Sequence, residues 1–241
     1  MAILYRGLDY VPTPLGDLML RWRQSPQLPG IDIYEVKLGE HFLMSSLFHE
    51  AETQLAELSL SKVSESLGKL DVVVGGLGLG YTAAAALESG RVDRLVVIEM
   101  LEPVIAWHQR AWVPLGEQLC GDPRCNLRQA DFFACVLDPN VEWFPGEPSR
   151  RVHAVLLDID HSPRHWLHPC NASFYSEQGL TAMRKHILPG GVFGLWADGE
   201  TDEAFTARLG AVFQTVEAHC IEFENPVTGG ISRGSVYVAG C

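Results

Sequence analysis

A short run of glycines, followed at a distance by an acid, could bind a nucleoside. The run follows an apolar stretch and consists of Gly75, Gly76, Gly78 and Gly80. Glycine has no Cβ and accepts positive φ, so such a turn lets the backbone approach a ligand closely. Glu99 comes 19 residues after the last glycine, and an acid at this spacing can bind both hydroxyls of a ribose. The pattern predicts a nucleoside site formed by the turn, Glu99 and the adjacent Met100.

Two more acidic segments follow apolar stretches later in the chain. Asp131 and Phe132 lie in RQADFF, where the carboxylate can accept from an adenine amino group and the ring can cover the base. Asp131 could equally cap a helix. Asp158, Asp160 and His161 lie in LDIDHSP and would place two carboxylates and an imidazole at a reaction centre.

An alternation of strands and helices would bring these residues together. The predicted strands are residues 71–75, 94–99, 126–129, 153–159, 191–197, 215–224 and 231–239. The predicted helices lie near residues 81–88, 101–111, 131–137, 176–187 and 202–213. Repeated β–α units imply an α/β, Rossmann-like parallel sheet whose ligands bind outside the carboxyl ends of the strands. Only residues 225–230 separate the last two of the seven strands, which predicts an antiparallel C-terminal hairpin. This arrangement is typical of S-adenosylmethionine-type transferases rather than of NAD dehydrogenases.

The beginning of the chain predicts a separate antiparallel unit. Residues 11–17 contain two prolines and a glycine and predict a turn, and residues 31–37 alternate strictly between apolar and polar. A helical pattern follows over residues 46–58. We therefore predict a small N-terminal β unit over residues 1–48 and a Rossmann-like transferase domain over residues 49–241.

Length and composition limit the class of protein. A chain of 241 residues that is 47% hydrophobic can bury a full core. No apolar run reaches the ~18 residues of a membrane span, so we expect no membrane partner. The N-terminus lacks the pattern of a secretion signal, and the six cysteines have no paired framework. Together these features predict a cytoplasmic protein with reduced thiols.

The net charge of the chain indicates which classes of ligand it favours. A net charge of −12 disfavours nucleic acid and favours a cationic substrate such as an amine. The same charge would also be explained by solubility alone.

Two groups of residues could suggest a metal site. Cys120 and Cys125 have the spacing of half a zinc site, but no second half follows. The segment HSPRHWLHPCN contains four potential ligands at irregular spacing, namely His161, His165, His168 and Cys170. Because neither group matches a standard site, we predict no metal.

Taken together, these segments resemble the spermidine synthase (polyamine aminopropyltransferase) family. The similarity covers IYEVKLGEHFLMSSLFHEAETQLA, VVVGGLGLGYTAAAAL, VVIEMLEPVIAW, RQADFFACV, VHAVLLDIDHSP and FYSEQGLTAMRKHILPGGVFGLW. The resemblance implies the class I S-adenosylmethionine-dependent methyltransferase fold with a small N-terminal β unit. It also implies decarboxylated S-adenosylmethionine or S-adenosylmethionine as donor, a polyamine-type acceptor, and a homodimer formed through the β unit.

The resemblance assigns roles on the donor side by position. The glycine turn would face the methionine-derived part of the donor, Glu99 its ribose and Asp131 its adenine. The segment SSLFHEAETQ would lie near the donor, and its candidates are His49, Glu52 and Gln54.

Further roles concern the acceptor. A substrate amine must lose a proton before it attacks, and Asp158 or Asp160 could accept it, with His161 as a competing base. Tyr175 would orient the amine by hydrogen bonding. Trp166 would cover the substrate from a mobile loop, and Trp196 would either line the pocket or belong to the core. These residues complete the predicted site.

Two departures from the family pattern concern the reaction. The family's glycine turn typically carries an aspartate that binds the amino group of the decarboxylated donor, and this chain has Gly78 there. The family also has two aspartates three residues apart, whereas Asp158 and Asp160 are two apart and His161 takes the second position. Our leading hypothesis is aminopropyl transfer. The alternatives are a methyltransferase using intact S-adenosylmethionine, a non-catalytic nucleoside-binding relative, and an NAD dehydrogenase.

Overall fold

A computed structural model describes residues 4–241, which begin with a four-stranded antiparallel sheet. Each strand pairs with the next, and they are β1 (Leu4–Thr13), β2 (Gly16–Ser25), β3 (Leu28–Leu38) and β4 (His41–Ser45). The predicted turn is shorter than expected, because Val11 and Pro12 still pair with β2. A proline is tolerated there because β1 is an edge strand.

A seven-stranded sheet with helices on both faces follows. Its strands are β5 (Leu70–Gly75), β6 (Val92–Glu99), β7 (Cys125–Gln129), β8 (Val152–Leu157), β9 (Ile187–Asp198), β10 (Thr215–Glu224) and β11 (Ile231–Gly240). The helices are α1 (Glu50–Ser61), α2 (Tyr81–Glu88), α3 (Glu102–Gln109), α4 (Gly116–Gly121), α5 (Phe132–Leu137), α6 (Glu177–Arg184) and α7 (Glu203–Val212). The sheet order is β10, β11, β9, β8, β5, β6, β7. Strand β11 is antiparallel to both of its neighbours, which confirms the predicted C-terminal hairpin.

The centre of this sheet is buried on both faces. Every residue of β5 is buried, and the strand is apolar apart from Asp71, which pairs with Arg94, as expected of a parallel strand covered by helices. Val72 and Val74 join a cluster with Leu55 of α1, whereas Val73 joins one with Phe132 of α5. Successive side chains point to opposite faces, so a single strand ties the two layers of helices together.

The first sheet packs over one edge of the second. Leu18, Leu20 and Val36 belong to the same buried cluster as Leu77 and Leu79, which lie within the glycine turn after β5. The N-terminal sheet therefore covers the carboxyl ends of the parallel strands, where ligands of such sheets bind.

The connection between the two parts is less helical than predicted. Helix α1 begins at Glu50 rather than at residue 46. Before it, the Ser45 hydroxyl accepts from the Leu47 N–H and the Ser46 hydroxyl accepts from the Tyr34 N–H, which holds this stretch in a turn. The domain division predicted after residue 48 falls in this stretch and stays a prediction. Within residues 4–241, no helix has the length and apolar character that spanning a membrane requires.

Candidate active site

A cavity of about 400 Å³ lies between the two sheets, at the carboxyl ends of the parallel strands. The N-terminal sheet and its first turn contribute Pro14, Leu15, Val36, Leu38, Leu43 and Met44. The predicted site residues that line the cavity are Glu52, Gly76, Gly78, Glu99, Met100, Asp131, Phe132, Asp158, His161 and Trp196. The volume is within the range of small-molecule sites.

The glycine turn is pressed against the end of β8. Gly76 has φ +96°, and a Cβ there would lie 2.0 Å from the carbonyl oxygen of Asp158. A side chain at this position would collide with backbone, which cannot move aside as a flexible side chain can. Gly75 and Gly80 instead serve packing outside the cavity, against Phe132 and Leu119 respectively.

The side chain of Met44 covers the turn at Gly78. Gly78 has φ +49°, and a Cβ there would lie 2.4 Å from the Met44 sulfur. The same sulfur accepts a hydrogen bond from the Leu79 N–H at 3.0 Å. Met44 therefore occupies the space into which an aspartate at position 78 would project.

Glu99 is fixed in place by backbone donors at the end of β6. Its Oε2 accepts from the Leu77 N–H at 3.0 Å, and its Oε1 accepts from the Leu101 N–H at 2.8 Å. Burial raises the pKa of Glu99, whereas these N–H groups act to lower it. The carboxylate is thus held at a defined point in the wall of the cavity, as a ribose-binding acid requires.

Asp131 serves as the cap of α5 and also lines the cavity. Its Oδ1 accepts from the N–H groups of Phe133 at 2.9 Å and Ala134 at 3.3 Å. Both bonds use the same oxygen, so Oδ2 is available to a ligand. The Phe132 ring is almost fully buried against Gly75, and Phe133 adds a second aromatic side chain to the cavity wall.

Two carboxylates, that of the buried Glu52 and that of the half-buried Asp158, face the cavity together. The Thr82 hydroxyl donates to Asp158 Oδ2 at 2.8 Å and lies 3.5 Å from the backbone carbonyl of Glu52. Burial and then the negative charge of Asp158 raise the pKa of Glu52 to about 8. Burial raises the pKa of Asp158 to about 6, although the bond from Thr82 opposes this. This pair is the strongest electrostatic feature of the site.

Asp160 and Tyr175 do not line the cavity. The Asp160 carboxylate accepts from the Leu167 N–H at 2.7 Å, from the Asn171 amide, and from the Tyr175 hydroxyl at 2.9 Å. Asp160 is buried and holds the loop of residues 161–171, part of which covers the cavity. In this conformation Asp160 and Tyr175 position that loop, and their predicted contact with substrate stays a prediction.

His161 lies at the mouth of the cavity. It also lines a larger open groove of about 1050 Å³, where its ring centroid is 5.7 Å from that of His41. Burial, followed by the charge of His41, lowers the pKa of His161, which favours the neutral ring that a proton acceptor requires.

The remaining predicted residues lie outside the cavity. His49 stacks on Tyr81 with ring centroids 4.2 Å apart, and Gln54 donates to Glu57 on the exposed side of α1. Trp166 donates to the carbonyl of Pro163 and is 37% exposed. In contrast to these residues, Trp196 does line the cavity.

Across residues 4–241, no three side chains of His, Cys, Asp or Glu come together as metal ligands.

Sequence reasoning missed three residues that shape the site: Met44, Thr82 and Asn171. Thr82 could have been found, since it lies in the first turn of the helix that follows the glycines. Met44 gave no signal, because an alternating strand does not reveal which turn its side chains cover. Asn171 gave no signal either, because the irregular loop between it and its hydrogen-bond partner Asp160 has no sequence pattern that predicts their contact.

The raised pKa of Glu52 predicts how stability depends on pH. The folded protein keeps a proton on Glu52 that the unfolded chain releases, so stability falls as pH rises from about 4.5 to about 8. We expect Glu52→Gln to be more stable than the wild type at pH 9, by on the order of 2–4 kcal/mol, and similar at pH 4.5. Urea unfolding at the two pH values measures this difference. Glu57→Gln, on the exposed side of the same helix, should show no pH-dependent gain, and an equal gain would refute the assignment.

Comparisons with known proteins agree with this architecture. No protein-family model matches the sequence, and no curated protein matches it. Among solved structures, spermidine synthase from Thermotoga maritima matches with 14% identity over 97% of this chain and 72% of its own, at a TM-score of 0.71. A spermidine synthase in complex with the transition-state analogue AdoDATO matches with 14% identity over 97% and 73%, at a TM-score of 0.72.

A third solved structure is that of a methyltransferase-like protein. Human methyltransferase-like protein 13 in complex with SAH matches with 19% identity over 79% of this chain and 78% of its own, at a TM-score of 0.51. The chain therefore has the class I methyltransferase fold, as predicted. More particularly, its whole architecture, including the N-terminal β unit, is that of the two spermidine synthases.

Proposed function

We propose that this protein transfers an aminopropyl group from decarboxylated S-adenosylmethionine to a small amine. The observation that carries this proposal is the charge of the cavity. Four carboxylates line it, those of Glu52, Glu99, Asp131 and Asp158, and no Lys or Arg among residues 4–241 does so. A donor with a sulfonium and an ammonium suits such a site, whereas the carboxylate of the intact donor would find no Lys or Arg side chain to pair with there.

The geometry supports a division of roles. Glu99, held by the Leu77 and Leu101 N–H groups, would accept from the ribose hydroxyls, and Asp131 Oδ2 would accept from the adenine amine. The sulfonium substituent would then lie over the glycine turn, next to Asp158. This arrangement orients the donor, which is most of what the reaction needs from the protein.

The sulfonium supplies an activated leaving group for a displacement at carbon. The lone pair of the acceptor amine attacks the propyl carbon next to sulfur, the carbon–sulfur bond breaks, and its electrons remain on sulfur as a neutral thioether. The attacking amine must first lose its proton, and Asp158 lies in the cavity with its pKa raised to about 6 by burial. His161, at the mouth, is the second candidate base.

One observation favours methyl transfer instead. Gly78 carries no acid, and Met44 fills the space where the acid of a decarboxylated-donor site would project. A site without that acid would no longer repel the carboxylate of intact S-adenosylmethionine from this side. Methyl transfer from intact S-adenosylmethionine to an amine is therefore the second candidate.

Product analysis distinguishes the two reactions. The purified protein would be incubated with a mixture of diamines and triamines and with either decarboxylated or intact S-adenosylmethionine. We expect an aminopropylated amine and 5′-methylthioadenosine with the decarboxylated donor, detected by mass spectrometry. Methylated amine and S-adenosylhomocysteine would support the second candidate, and neither product would overturn both.

The proposal extends to assembly and location. The edge strand β1 exposes Leu4, Tyr5 and Tyr10, which supports a homodimer formed through the N-terminal β unit. Light scattering on the purified protein would measure this, and a monomer at micromolar concentration would contradict it. The six free thiols are consistent with the reducing cytoplasm that we propose as its location.

A further inference from the structure

We infer that Glu52 and Asp158 together bind the side-chain ammonium of the sulfonium nucleoside, with Glu52 reaching the site from α1 instead of from the glycine turn. This inference rests on the proposed function, because it requires a donor that carries such an ammonium. It gives a specific role to Glu52, which the resemblance placed only near the donor.

Glu52 is built into the cavity without a protein partner. Its side chain lines the cavity although the residue is only 7% exposed. Among residues 4–241, the charges that act on its carboxylate are those of Asp158, Glu50 and Asp198, all acids, and no Lys, Arg or His side chain pairs with it. A buried carboxylate is costly unless it is paired or protonated, so this position is suited to a cationic ligand.

Asp158 brings a second carboxylate to the same place. Thr82 connects the two elements, since its hydroxyl donates to Asp158 and lies near the carbonyl of Glu52 on the adjacent helix. The charge of Asp158 acts directly on Glu52. One ammonium between the two carboxylates would replace the proton that the pair otherwise holds. Binding should therefore release a proton from the protein.

The path of the donor favours its own ammonium over that of the acceptor. Glu99 fixes the ribose end near Leu77, and a chain leaving the sulfonium over Gly76 meets the end of β8 at Asp158. The Met44 side chain blocks the space next to Gly78. The substituent on the sulfonium therefore extends toward Asp158 and Glu52.

The acceptor has a different entrance. His161 lines both the cavity and the open groove, whose other walls include His41, Ser162 and Asp198. An amine approaching through this groove would reach the reaction centre from the side of β9. Asp158 lies where the two paths meet and can contact both amines, whereas Glu52 contacts the donor alone.

Calorimetry without acceptor tests this assignment. Two probes would be titrated: decarboxylated S-adenosylmethionine, and 5′-methylthioadenosine, which lacks the ammonium. We expect Glu52→Gln to weaken binding of the first by about 10- to 100-fold and to leave the second within about twofold. Glu57→Gln should change neither. An unchanged affinity for the decarboxylated donor, or equal losses for both probes, would overturn the inference.

The wild-type protein provides a second readout that needs no variant. Titrations with the decarboxylated donor at pH 7 in two buffers of different ionisation enthalpy should reveal proton release, which 5′-methylthioadenosine should not cause. Absence of this difference would overturn the inference even if Glu52→Gln failed to fold. If the wild type binds neither nucleoside, the proposed function fails as well. If it binds both without proton release, only the role of Glu52 fails.

Discussion

Replacing Asp158 with Asn should lower kcat by about 10²- to 10⁴-fold, because an amide cannot accept the proton of the attacking amine. The substitution keeps the shape of the side chain, and its oxygen can still accept from the Thr82 hydroxyl. It also removes a buried charge, so we expect no loss of stability. Initial rates of product formation, measured by mass spectrometry, give the effect.

The pH profile separates a base from a merely structural residue. In the wild type, kcat/KM should rise with pH through about 6 as Asp158 of the free protein loses its proton, and Asp158→Asn should lack this limb. Asp93→Asn, an exposed aspartate on β6, serves as the matched control and should retain the wild-type profile. Unchanged activity in Asp158→Asn would exclude Asp158 as the base and would leave His161 as the candidate.

Replacing Gly76 with Ala should destabilise the protein by about 3–5 kcal/mol and abolish nucleoside binding. The added Cβ would lie 2.0 Å from the carbonyl oxygen of Asp158, and the φ of +96° is unfavourable for alanine. Relief would require β8 to move away from β5, which would also displace Asp158. Thermal unfolding with and without nucleoside measures both effects.

Two other glycines make this prediction specific. Gly90 has no atom within 4 Å of its notional Cβ, so Gly90→Ala should change stability by less than about 1 kcal/mol. At Gly78 the neighbour is the end of the Met44 side chain, so Gly78→Ala should cost less than Gly76→Ala. Equal costs at positions 76 and 90 would show that contact with β8 is not what requires glycine.

The sequence predicted the parallel strands well because they are apolar and bounded by turn residues. Strand β5 and the glycine turn lie within a residue of their expected positions, and the hairpin follows from the absence of a helix between β10 and β11. Helix α4 and strand β1 were not predicted as elements. Both have weak apolar periodicity, and their secondary structure depends on the residues that pack against them.

Site residues that directly follow a strand could be predicted from the sequence, whereas residues whose position depends on loop conformation were harder to predict. Glu99, Asp131 and Asp158 all line the cavity, since the ends of parallel strands meet at one edge. Residues two apart on a strand point to the same face, but β8 ends at Leu157, and Asp160 points into the loop network. The pairing of Met44 with Gly78 joins residues 34 positions apart, and local pattern carries no information about it.

The cover that the N-terminal sheet forms over the glycine turn affects how the molecule unfolds. Met44 lies in the last strand of the first sheet and Glu52 in the first turn of α1, so a single nine-residue segment contributes to both walls of the cavity. A ligand held between these walls binds only when the two parts are docked, and its binding energy is added to their association. Nucleoside should therefore make the two parts melt as one cooperative unit and should slow hydrogen exchange in β4 along with that in β5.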